Sequence, residues 1–301
     1  MKKPATAAVL AAALVTVLAV AAFLCFTGAS RADALDPSDH VPGHPTVTYF
    51  DLVKQVVADL DSPSRKAEPT AHSIVPYRHI EGDKAKTDPA GALAIQLLTA
   101  LPVHAGGKSR LALMIDLGPS DGAVAEFTLL ALFDLAEHPK LLDVVEVGTD
   151  RLTGFTDKPV LPLAQGAERK SDLIVIDSDH FNSNEDFVGM ELLLVRNDRF
   201  ELVGSLFTFD AKLCASMRQQ LPAIATRPDS SRRYRQIRVA VHETVTLQSD
   251  RTGCSGEKVP RPFTRAYHAI YRWNADREKF EITSSDLKRL DRENEKLMSG
   301  E

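Results

Sequence analysis

The segment from Asp177 to Asp186 holds the densest group of side chains that could do chemistry. Carboxylate and amide oxygens are the ligands that Ca²⁺ prefers, and here they come from Asp177, Asp179, Asn182, Asn184 and Asp186. The segment is not an EF-hand, because an Asn stands at its sixth position, where that loop needs glycine. The alternative is a solvated loop between strands whose Asn and Asp side chains bind their own backbone.

Acid–base catalysis is a further interpretation of the same segment. Asp177 and Asp179 are paired carboxylates, and His180 could assist them, although adjacency in the sequence does not show that these groups converge. A zinc site at His180 would need a second His or Cys, and none lies nearby in the sequence.

Glu243 is the second candidate, because it lies on the apolar side of an alternating run from Ile237 to Leu247. An ionised carboxylate is costly there without a partner. If the register holds, Glu243 is either paired with a buried cation or has a raised pKa, and either would mark a site. The alternative is a β-bulge that turns the side chain to solvent.

Several catalytic motifs are absent from the sequence: the Gly-x-Ser-x-Gly elbow, His-Glu-x-x-His, a phosphate loop and a dinucleotide fingerprint. The remaining enzyme hypothesis is a hydrolase that uses Asp177, Asp179 and Glu243, with His180 assisting. His40 and His44 have a metal-binding spacing for a helix, but the intervening Pro and Gly prevent a helix there.

Residues 1–34 have the pattern of a secretory signal peptide. Lys2 and Lys3 precede an uncharged apolar run, and Ala32-x-Ala34 offers the small side chains that a signal peptidase accepts. We therefore expect cleavage after Ala34 and a periplasmic or secreted protein. An uncleaved membrane anchor is the alternative, because the apolar run is nearly long enough to span a bilayer.

Two of the three cysteines follow that segment, Cys214 and Cys254. The exported compartment is oxidising, so we expect a disulfide between them. By the chain-entropy model, an unstrained bond closing this loop would stabilise the fold by roughly 4 kcal/mol.

The charge of the chain disfavours nucleic acid as a partner. The net charge is −5 and becomes more negative when Lys2, Lys3 and Arg31 are removed with the signal. The basic cluster at residues 232–235 is interpreted as a solvated entry to a strand. A membrane would be a partner only if the signal segment stays uncleaved.

Helices are predicted near both ends of the mature chain. After a loose leader at residues 35–48, apolar spacing and a Thr48–Asp51 capping box predict a helix over residues 49–61. Residues 90–100 could form a second helix, within an N-terminal part that extends to residue 109. A final capping box begins a charged helix over residues 284–298.

The region from 110 to 283 is predicted to be a β body. Strand-like runs flank short turns, so that neighbouring strands should pair as antiparallel hairpins. The runs are residues 111–117 with 123–133, 187–196 with 200–209, and 266–273 with 279–282, with further strands at 141–147, 173–176 and 237–247. A short strand over residues 74–80 could precede this body, in the N-terminal part.

The fold class that follows is mainly β, as a sandwich, a meander or a small propeller-like array of antiparallel hairpins, with an N-terminal and a C-terminal helix. The hairpin pattern resembles propeller blades, although its spacing is uneven and it lacks a blade signature. Residues 35–301 are expected to form one domain.

The leading functional hypothesis is an exported, non-enzymatic binding or envelope-associated protein, whose loop at residues 177–186 meets an unknown ligand or an envelope protein. The alternatives are the hydrolase and a calcium-binding domain, and Ca²⁺ is the only cofactor that the residues suggest.

Overall fold

The computed structural model describes residues 33–60, 74–120, 125–165, 170–213, 215–248 and 260–299. This part of the chain is mainly β, with antiparallel sheets and a C-terminal helix, as the sequence predicts. Cys214, Cys254 and nearly all of the signal segment lie outside the described residues. Within the described ranges, no helix has the length and apolar character needed to cross a membrane.

The N-terminal segment is ordered, which corrects the expectation of a loose leader over residues 35–48. Strands β1 (His40–Val41) and β2 (His44–Thr48) form a small hairpin, and Val41 is buried in the core. The backbone N–H of Leu35 also donates to the carbonyl of Leu98 at 2.8 Å. The sequence pattern did not indicate this hairpin, because strands this short show little hydrophobic periodicity.

Helix α1 (Tyr49–Lys54) is shorter than the helix predicted over residues 49–61. Its capping box is present, since the Thr48 and Asp51 side chains each bond the other residue's backbone N–H. The side chain of Gln55 bonds the backbone of Pro139 and Leu141, and the chain then continues in turns. The apolar residues after the helix are buried there, so their spacing resembled a longer helix.

A five-stranded sheet follows, in the order β3-β7-β6-β5-β4. Its strands are β3 (Arg78–His79), β4 (Leu97–Ala105), β5 (Lys108–Pro119), β6 (Glu126–Asp134) and β7 (Lys140–Glu146). All neighbours are antiparallel except β3 and β7. Its central strands are buried on both faces, which explains their continuous apolar runs.

The helix predicted over residues 90–100 is wrong. The backbone N–H groups of Ala94 and Gln96 donate to the neighbouring strand β5, and β4 begins at Leu97. The buried Leu93 and Ile95 are two residues apart, which fits extended chain rather than helix. Pairing with a distant strand therefore overrides the local helical spacing.

The remaining strands form an eight-stranded sheet in sequential order, which is the order of a meander. They are β8 (Gly154–Pro162), β9 (Asp172–Phe181), β10 (Glu185–Arg196), β11 (Arg199–Lys212), β12 (Ser216–Arg227), β13 (Gln236–Leu247), β14 (Phe263–Asn274) and β15 (Lys279–Ile282). The predicted hairpins are confirmed here, including the tight turn at Asn197 and Asp198, which have φ of 53° and 57°.

The eight-stranded sheet is divided into two halves. Strands β11 and β12 share only two register pairs, Ala211 with Arg218 and Lys212 with Met217. Strands β8–β11 and β12–β15 enclose one core, which also receives Leu287 and Leu290 from helix α2 (Asp286–Ser299). The outer face of β9–β11 packs on the five-stranded sheet. The sheets are thus stacked in layers rather than arranged radially as in a propeller.

Candidate functional site

Residues 177–186 are mostly strand rather than loop. Strand β9 continues to Phe181, and the turn is limited to residues 182–184. The side-chain oxygen of Asn182 accepts from the N–H groups of Asn184 and Glu185, as the alternative of self-bonded polar residues predicts. Because side chains alternate along a strand, Asp177 and Asp179 lie on one face of β9, and Ser178 and His180 on the other.

The five predicted calcium ligands are not brought to one point. Asp186 lies opposite Phe181, which is about 13 Å along the strand from Asp177. A single ion binds oxygens at about 2.5 Å, so it cannot reach both carboxylates. Within the described residues, no group of three or more His, Cys, Asp or Glu is placed to hold a metal ion.

Asp177 and Asp179 line a cleft of about 550 Å³ between β8 and β12, which we name the seam cleft. It is lined by Phe155, Thr156, Asp157, Lys158, Leu161, Val175, Asp177, Asp179, Met190, Pro222, Ala223 and Ile224. Apolar side chains form most of this lining, while the polar groups are three carboxyl groups, one ammonium group and the hydroxyl of Thr156. Such a mixture is typical of a small-molecule site.

The seam cleft exists because the sheet does not close between its first and fifth strands. Strand β8 leaves its register with β9 between Phe155 and Val160. At one end the seam is closed, since the hydroxyl of Thr226 donates to the carbonyl of Pro162 at 2.7 Å. Strand β8 is an end strand of the sheet, so its other edge faces the cleft.

A second pocket, of about 290 Å³, lies on the opposite face of β9 and β10. We name it the Glu191 pocket, and its polar lining is Glu81, Thr149, Asp150, Ser178, Glu191, Ser205 and Asp291. Only 4% of Glu191 is exposed, and neither carboxyl oxygen has a hydrogen-bond partner among the described residues. Burial, and to a smaller extent the charge of Glu81, raises the pKa of Glu191 to about 8.

His180 lies beside the Glu191 pocket rather than beside Asp177. Its Nδ1 is 3.0 Å from Oδ1 of Asp150, and its ring meets Phe187 edge-on at 5.9 Å. The hydroxyl of Ser178 is 2.8 Å from that of Thr153. Ser178 and His180 therefore have different hydrogen-bond partners, Thr153 and Asp150, although their side chains share one face of β9.

Glu243 keeps the strand register, so the predicted alternative of an outward-turning bulge is wrong. It is fully buried and opposite Arg265, and its carboxylate accepts hydrogen bonds from Arg218, Arg265 and the Tyr267 hydroxyl. Burial alone would raise the pKa of Glu243, but the hydrogen bonds and charges of the two arginines lower it. The first option drawn from the sequence, pairing with a buried cation, is therefore the one found.

This ion-pair network attaches helix α2 to the sheet. Arg265 also contacts Glu293, and the Asn294 amide oxygen accepts from Arg218 at 2.9 Å and Gln220 at 3.0 Å. Asn294 is fully buried. Glu243 does not line the seam cleft, so the carboxylates of the hydrolase hypothesis lie in two separate places.

The sequence drew attention to Asp177, Asp179 and Glu243, but not to Glu191 or to the walls of the seam cleft. Glu191 carries the same signal as Glu243, because it is a lone carboxylate in an apolar strand run. The cleft walls on β8 and β12 come from segments far apart in the sequence. No local pattern shows that they face each other.

Comparisons of this chain with protein-family models, with curated proteins and with solved structures found no match. The two clefts and the chemistry of their side chains are therefore the basis for a function.

Proposed function

We propose that this protein is an exported binding protein that holds a small, largely apolar ligand in the seam cleft. The observation that carries the proposal is the opening of about 550 Å³ between β8 and β12. This volume lies within the range of known small-molecule pockets. Val175 and Met190 supply apolar lining between the two walls.

The polar lining suggests the chemistry of the ligand's other end. Asp177 and Asp179 place two carboxyl groups among the apolar side chains, and carboxyl oxygens accept hydrogen bonds. A matching ligand therefore presents a hydrogen-bond donor or a positive charge next to an apolar body. Asp157 and Lys158 are exposed and would contact the ligand only at the entrance.

Export is supported by the targeting pattern in residues 1–34, with its two lysines, apolar run and small residues before the cleavage position. The backbone nitrogen of Leu35, the predicted new N-terminal residue, donates to the carbonyl of Leu98 at 2.8 Å. A cleaved chain would keep this donor as its terminal ammonium group.

The test uses N-phenyl-1-naphthylamine, an apolar fluorescent dye with one N–H donor, and two matched variants. Ala223 and Ala225 are both exposed on β12, but only Ala223 lines the cleft. We expect Ala223→Trp to weaken dye binding at least fivefold and Ala225→Trp to leave it unchanged. Equal binding by wild type and both variants would contradict the proposal, as would failure of the wild type to bind the dye at all.

A further inference from the structure

We propose that the Glu191 pocket is a second ligand site, separate from the seam cleft, which binds a small organic cation carrying N–H donors. The central observation is the Glu191 carboxyl, which is more than nine-tenths buried and has no hydrogen-bond partner among the described residues. Buried carboxyl groups are almost always hydrogen-bonded, and an unsatisfied one needs an explanation. A ligand that donates to it supplies one.

The charge of the lining favours a cation. Glu81, Asp150, Glu191 and Asp291 all line the pocket, and its lining contains no lysine or arginine. The Asp150 carboxylate is partly engaged by His180, whereas Glu81 is exposed at the rim. A cation bound among these groups gains from several carboxylates at once, and an anion would be repelled.

The apolar lining favours an organic cation over a metal ion. Phe187 and Phe207 both line the pocket, with ring centroids 6.3 Å apart. Aromatic faces attract organic ammonium and guanidinium groups. In the described part of the chain, no cluster of three acids or histidines is arranged for a metal.

Binding of the cation should also remove the proton from the Glu191 carboxyl. Burial and the nearby charge of Glu81 raise the pKa of Glu191 to about 8, so the free carboxyl is protonated at neutral pH. The charged groups that face it are Glu81, Asp150 with its partner His180, and Asp291 on α2. When the cation binds, the Glu191 carboxyl loses its proton, and the buffer takes this proton up. The ligand keeps its positive charge.

Calorimetric titration with benzylammonium at pH 6.5, in phosphate and in PIPES, tests this proposal. The difference in enthalpy between the two buffers measures the protons released. We expect about one proton per ligand, and an affinity that rises about tenfold per pH unit up to pH 8. Neutral benzyl alcohol, with the same ring, should bind at least tenfold more weakly.

Two variants locate the site. Glu191→Gln preserves the shape of the side chain and should weaken benzylammonium binding at least tenfold and abolish proton release. Glu185→Gln changes an acid on the same strand that does not line the pocket, and should behave as wild type. Ala223→Trp should leave benzylammonium binding unchanged, which separates this site from the seam cleft.

The proposal would be overturned by no binding of benzylammonium, by equal binding of benzyl alcohol, by binding without proton release, or by full binding by Glu191→Gln. A benzylammonium affinity lowered by Ala223→Trp alone would place the cation in the seam cleft instead. These results leave the dye experiment on the seam cleft unaffected, so each site can fail independently.

Discussion

Asp177 and Ser178 are consecutive residues of β9 that line two different clefts, on opposite faces of the same sheet. The alternation of side chains along a strand makes this possible. It also means that a shift of one residue in the register of β9 would exchange the lining of both clefts. The pairing of β9 with β10 over nine residue pairs fixes that register.

The first prediction concerns the stability of Glu191→Gln as a function of pH. In the unfolded chain Glu191 loses its proton near its ordinary pKa of 4.5, whereas the folded chain keeps that proton up to about pH 8. The free energy of unfolding should therefore fall between pH 4.5 and pH 8 because of this residue, and level off above pH 8. A Gln side chain does not titrate, so Glu191→Gln should not show this fall in the free energy of unfolding.

Urea denaturation at pH 5 and pH 8 measures this difference. We expect Glu191→Gln and wild type to be similarly stable at pH 5, and the variant to be more stable at pH 8 by about 4 kcal/mol. Glu185→Gln should follow the wild type at both values. If the difference in the free energy of unfolding between Glu191→Gln and wild type is the same at pH 5 and pH 8, the assignment of a buried, neutral Glu191 is contradicted.

The second prediction concerns the network around Glu243. Glu243→Gln would leave the buried Arg218 without its charge partner, so we expect a loss of about 3–5 kcal/mol at pH 7. The pKa of Glu243 is lowered in the folded state. Its stabilising contribution is therefore present above pH 4.5 and is lost as the pH falls through the folded-state pKa.

Chemical denaturation at pH 7 and in acid checks both parts of this prediction. The difference between wild type and Glu243→Gln should shrink as the pH falls. Arg277→Ala breaks an exposed ion pair with Glu281 and serves as the control, with little change in the denaturation midpoint. A Glu243→Gln protein as stable as wild type at pH 7 would show that the network does not hold helix α2.

The third prediction uses two glycines near the β7–β8 connection. A Cβ at Gly148 would lie 2.0 Å from the carbonyl oxygen of Glu126, so the backbone would have to move. We expect Gly148→Ala to cost about 3 kcal/mol. At Gly154 the nearest atom is 3.9 Å away, so Gly154→Ala should be close to neutral. Thermal unfolding measures the difference in stability between the two variants. Equal unfolding midpoints would contradict the close packing at Gly148.

The fourth prediction concerns export and the two later cysteines. Protein recovered from its host should begin at Leu35 by intact mass, and should show no free thiol at Cys214 or Cys254 after unfolding without reductant. Reduction should lower the unfolding temperature, because the disulfide would close a long loop. A chain that retains its first 34 residues and two free thiols would contradict this part of the proposal.

The parts of the fold that the sequence predicts are those with local causes. The turn at Asn197 and Asp198 needs residues that tolerate positive φ, and the apolar runs on either side give its two strands. The alternation over residues 237–247 likewise places Glu243 on the buried face, where the structure has it. Helix α2 begins two residues after the predicted start.

The parts that the sequence did not predict depend on distant partners. Residues 90–100 have helical spacing, but pairing with β5 keeps them extended. The leader at residues 35–48 is ordered because it packs on the five-stranded sheet. The seam cleft and the Glu191 pocket each require strands that are far apart in the sequence to meet.

Methyl NMR with labelled isoleucine and methionine tests ligand binding in the seam cleft most directly. During a titration with N-phenyl-1-naphthylamine, the Ile224 methyl signal should shift, because Ile224 lines the cleft. The signal of Ile115, buried in the core beside the N-terminal segment, should stay in place. An unchanged Ile224 signal at dye concentrations that saturate the fluorescence would contradict the account.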